Sequence, residues 1–126
     1  MANVPRERGA LPPVIDLEWN HQSRSCPFKP SAAEVRREVG IMMSMLHQHY
    51  GQRPIIYTTV DFYRDTNIRH LNADFWLRSV AAHPSDRYAG QHWAFWQYTG
   101  TGIVPGIRGN TDLNAFAGTR ADWVRW

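Results

Sequence analysis

Cysteine is nearly absent. Cys26 stands alone in 126 residues, so the chain can close no internal disulfide and has no thiol cluster to hold zinc. Lysine is equally scarce: Lys29 is the single one, and the rest of the 14 basic residues are arginines. These give a formal charge of +3 but are scattered, with only Arg36 and Arg37 adjacent. A nucleic-acid surface needs a basic stripe, so that class of partner is not expected. No apolar run is long enough to span a membrane. The first nine residues are charged and poor in apolar side chains, which does not read as a signal peptide. The six histidines are dispersed, and His47 and His49, two apart in a predicted helix, point to different faces. Gly100 and Gly102 lack the third glycine and following helix of a dinucleotide loop. Neither a metal nor a cofactor is expected.

Aromatic side chains are plentiful. Phe, Trp and Tyr make up 13% of the chain, with six tryptophans. Some must be core, but flat rings also suit the faces of sugar rings. The balance of 43% hydrophobic and 20% charged residues fits an ordinary globular domain. The length argues for a single domain over residues 1–126. A complete (β/α)8 barrel needs about 200–250 residues and will not fit.

The Pro-Pro pair at 12–13 cannot lie inside a helix, and the short apolar stretch after it predicts a buried strand over 14–19. Ser31 followed by Glu34 is a capping box. Val35, Val39, Met42, Leu46 and Tyr50 then recur at helical spacing, and Gly51 ends the helix. Strands are predicted over 54–59, 75–80 and 93–98, with a short helix beginning at Val60. Residues 81–91, with Pro84 and Gly90, read as loop. A glycine-rich connection leads to a short strand near 111–113, and a helical turn is expected from Asn114. The order implies an α/β fold with a partly parallel sheet of about five strands.

Side chains alternate along a strand, so Val14, Asp16 and Glu18 share one face while Ile15, Leu17 and Trp19 share the other. The second face is apolar and belongs on helices. The first stacks two carboxylates about 7 Å apart. Two like charges in a buried strand are costly unless that face opens to a cleft. Their repulsion raises one pKa and makes a general acid available near neutral pH, the arrangement used in glycoside hydrolysis. The same pair could instead be held by arginines at a sheet edge. Asp112 follows a glycine-rich turn and by itself reads better as a helix cap than as a catalytic acid. Tyr57, Gln97 and Tyr98 could bind sugar or be satisfied core polar groups.

Five segments, taken in order, carry a family resemblance: Leu-Pro-Pro-Val-Ile-Asp-Leu-Glu (11–18), Pro-Ile-Ile-Tyr-Thr (54–58), Phe-Trp-Leu (75–77), Trp-Gln-Tyr-Thr (96–99) and Gly-Ile-Arg-Gly-Asn-Thr-Asp-Leu-Asn (106–114). Together they resemble the lysozymes of glycoside hydrolase family 25, N-acetylmuramidases that cut peptidoglycan. The resemblance implies the C-terminal part of a TIM-like (β/α) barrel lacking its first three strands. It implies hydrolysis of the β-1,4 bond between N-acetylmuramic acid and N-acetylglucosamine. The other reading it allows is a glycan-binding remnant without catalysis. By this likeness Glu18 is the general acid/base, Asp16 stabilises the cationic transition state, and Asp112 is the acid near the last strand. Tyr57, Trp76, Gln97, Tyr98 and Asn114 are the implied substrate-binding residues. Full-length members are expected in the periplasm or outside the cell. Arg78 and Ser79 stand where the family often has small residues. An incomplete barrel has free edges, and self-association is the expected way of covering them.

Overall fold

The structure is a computed structural model that describes residues 4–126; the charged N-terminal stretch begins in the three residues outside it. Five strands form one sheet in sequential order, β1 to β5. β1 (Val14–Leu17), β2 (Ile55–Thr58), β3 (Asp74–Arg78) and β4 (Phe95–Gly102) run parallel, and β5 (Thr111–Phe116) pairs antiparallel to β4. Parallel neighbours need crossovers. α1 (Ala32–Tyr50) connects β1 to β2. α2 (Val60–Thr66) and a 3-10 turn (Ile68–His70) connect β2 to β3.

The pleat divides the sheet into two faces. Ile15, Ile56, Phe75 and Leu77 point to the helices and are 5% exposed or less. There Ile56, Phe75 and Leu77 meet Val35 and Val39 of α1, Phe62 and Tyr63 of α2, Ile68 and Tyr88. Each such side chain contributes roughly 1.5–3 kcal/mol of burial, so this layer is what holds the sheet flat against its helices. The opposite face carries Asp16, Tyr57 and Trp76 in one register row, with Gln97 and Asn114 paired one step further along on β4 and β5. Its lower end is floored by α4 (Arg120–Arg125), whose Trp123 lies over Phe95 and Phe116, joined by Trp126.

The predicted α1 is present with both halves of its capping box, Ser31 with Glu34, and with Gly51 left-handed at φ 72°. Its inner stripe passes through Met43 rather than Met42. Met42 is instead half exposed, on an apolar groove with Leu17, Trp19 and Phe28 beside the free edge of β1. Residues 81–91 are not all loop. α3 (Pro84–Arg87) forms there because Pro84 opens it and the His83 ring accepts the Ser85 N–H.

β4 and β5 extend beyond the predicted strands, and Asn114 lies inside β5 rather than opening a helical turn. The glycines that looked like a loop are what let the two strands approach. A Cβ on Gly102 would stand 2.5 Å from the Leu113 side chain and 2.9 Å from the Thr111 carbonyl. The terminal helix starts later because its capping box is Thr119 with Asp122.

Candidate active site

Parallel strands end together, so the residues at the carboxyl ends of β1 to β4 converge. A cleft of about 320 Å³ opens there on the polar face, lined by Val14, Asp16, Glu18, Tyr57, Trp76, Gln97 and Asp112. The stacked carboxylates of β1 form one wall and Asp112, brought in by β5, stands among the other lining groups. No arginine clamps either acid of β1: the ion pairs among the described residues lie elsewhere.

The floor is a connected polar and aromatic row. The Tyr57 hydroxyl donates to Gln97 Oε1 at 2.7 Å, fixing a glutamine that is only 4% exposed. Tyr57 meets Trp76 edge-on with ring centroids 5.4 Å apart. The Trp76 indole N–H donates to Asn114 Oδ1 at 2.8 Å, so Asn114 acts on the cleft by holding that ring. Tyr98 is not brought into this cleft. Alternation on β4 turns it away from Gln97 to the side of Trp96, where the two rings sit 5.8 Å apart.

The surroundings raise both stacked carboxyls. Partial burial raises Asp16 above the ordinary carboxylate value. Glu18 is raised by burial and then by the charge of Asp16, with Asp61 adding to the rise and Arg78 opposing it. Tyr57 is pushed up to about 12 by burial and by Glu18 beside it, offset by Arg78. It therefore stays a neutral donor. The site thus holds a carboxyl with an elevated proton affinity next to a second carboxylate, which is what acid-catalysed cleavage of an acetal requires.

Glu18 also borders a second cleft, between the carboxyl ends of β1 to β3 and the loop after β3. Its charged residues escape a reading based on clustering, because they come from four separate segments of the chain: His21, Asp61 and Arg64 of α2, Arg78, and Arg87. Only Arg78 carried a signal, as one of the two residues standing where the family often has small ones. Among the described residues no group of three or more His, Cys, Asp or Glu side chains is placed to hold a metal ion.

A sequence model of Glycosyl hydrolases family 25 matches residues 1–107. The chain belongs to this family. A family 25 glycosyl hydrolase structure from Bacillus anthracis superposes with a TM-score of 0.80 at 36% identity, covering 98% of this chain and 57% of that one. The bacterial lysozyme from Streptomyces coelicolor gives 0.72 at 27% identity, covering 93% and 56%. The uncharacterized protein YegX of Escherichia coli K12 is 33% identical over 120 residues, which is 94% of this chain and 41% of that protein. The five-stranded sheet is thus part of a TIM-like barrel, and the chain spans about two-fifths of the length of the curated relatives it matches. Asp112 and Asn114 lie beyond the residues that the family model matches.

Proposed function

We propose that the chain is a muramidase-type glycoside hydrolase acting on the β-1,4 bond after N-acetylmuramic acid in peptidoglycan. The observation that carries this reading is the shared cleft: Asp16, Glu18 and Asp112 line one groove with Tyr57, Trp76 and Gln97, in a chain of a glycosyl hydrolase family. Protonated Glu18 gives its proton to the glycosidic oxygen as the C1–O bond breaks. Asp16, ionised, stabilises the positive charge that develops on the sugar ring, by orienting the 2-acetamido group as an internal nucleophile. Glu18, now a carboxylate, takes a proton from the incoming water and is restored. Trp76 supplies a flat face, and Gln97 and Tyr57 supply hydrogen bonds to sugar hydroxyls. The substrate places its action at the cell wall, periplasmic or extracellular. Among the described residues no helix is long and apolar enough to cross a membrane.

A turbidity assay on purified cell walls tests the reading. The chain should clear the suspension, and Glu18→Gln should slow clearing by about 10²–10⁴-fold while leaving wall binding in place. Clearing that survives the substitution excludes Glu18 as the acid. The partial span relative to solved family structures favours one second reading, a wall-binding remnant. Wall binding by the unaltered chain without any clearing would establish it.

A further inference from the structure

The second cleft is about 430 Å³ and adjoins the first through Glu18. Its charges do not cancel locally. Asp61 is engaged by the Thr59 hydroxyl at 2.6 Å and by His21 at 3.3 Å. Burial pushes its carboxyl up, but hydrogen bonds from these partners and from backbone N–H groups outweigh that and hold it below the ordinary value. Arg64 is turned to Asp65 at 2.8 Å. Arg78 and Arg87 form no ion pair among the described residues, although both line this cleft. Arg78 is half-buried on the cleft face of β3, in register with Gln97. The acid whose charge it influences is Glu18, and a general acid is neutral when poised to react. At that moment a partly desolvated guanidinium faces the cleft without a counter-ion, a costly arrangement unless a ligand supplies one.

We propose that Arg78 and Arg87 form a subsite for a carboxylate carried by the glycan, resting on the glycan reading above. Guanidinium groups match carboxylates in a planar, two-pronged geometry. The subsite lies directly beyond the acid that protonates the glycosidic oxygen, so a carboxylate on a side substituent of the bound sugar would reach it. Two sources share this chemistry: the ether-linked lactyl acid of muramic acid itself, and the free carboxylates of a peptide attached there.

The experiment is calorimetric titration of the full chain with three forms of the N-acetylglucosaminyl–N-acetylmuramic acid disaccharide at one salt concentration. One has the free lactyl acid, one its methyl ester, and one a lactyl amide bearing a dipeptide with free carboxylates. The expected result is about tenfold tighter binding of an acid form than of the ester, the ratio one charge-assisted contact supplies. Preference for the lactyl acid or for the peptide form identifies the source. The pair Arg78→Met and Arg87→Met should bring the acid-to-ester ratio close to one. Exposed Arg87→Met alone should reduce it, and Arg78→Lys should keep part of it. Equal binding of ester and acids, or a preference that survives in the double variant with an intact thermal melt, overturns the subsite while leaving the glycan reading standing. If none of the three forms binds, both fall together.

Discussion

Asp16 illustrates how a functional residue works against the fold that holds it. Its carboxyl is raised above the ordinary value of 3.8 by burial, so the folded chain binds a proton more readily than the unfolded one. The stability associated with that proton is fully present below the unfolded pKa and is lost as pH rises through the folded one. Asp16→Asn should therefore melt at a higher temperature than the unaltered chain near neutral pH, with the difference shrinking in melts run below 3.8. The same substitution removes a charge that raises Glu18. The alkaline limb of the activity profile, where Glu18 loses its proton, should then move to lower pH. An unmoved limb would show that the two carboxyls are not coupled. At this scale the sequence was informative: alternation alone placed Asp16 and Glu18 on one face, and the cleft contains both. The same alternation already turns Tyr98 away from Gln97, against what the family likeness implied; the arginines could not be placed, because neighbours across strands depend on register, and register is not written in any single segment.

Among the elements, the most legible was α1, whose cap, stripe and terminating glycine all agree. The β4–β5 hairpin was the least, since its glycines resemble a loop until the partner strand is present. Gly102 admits the Leu113 side chain where a methyl group would collide, and Asp112 sits between Thr111 and Leu113. Gly102→Ala should accordingly cost about 1–3 kcal/mol of stability, measured by urea unfolding, and should also lower wall clearing by displacing Asp112. Unchanged stability would mean that the hairpin relaxes freely at this point. The missed α3 and the late start of α4 have a common cause. Their caps are a histidine and a Thr–Asp pair, in stretches without the apolar periodicity that makes a helix visible in sequence.

For the whole molecule, the sheet order leaves β1 and β5 as its outermost strands. The outer side of β1 adjoins an apolar groove of about 460 Å³ that includes Trp19, Phe28 and Met42. An open edge beside apolar surface is a template for another strand. We therefore expect concentration-dependent association of this chain, visible as a rising sedimentation coefficient across a dilution series. A monomer at every concentration would show that the edge is protected by its own loop, residues 20–30.

α4 packs on the cleft face of the sheet at the amino end of β4, where Trp123 and Trp126 meet Phe95 and Phe95 in turn meets Trp76. A carboxyl-terminal tether to a bead or a carrier would consequently pull on the aromatic stack that supports the Trp76 ring of the cleft.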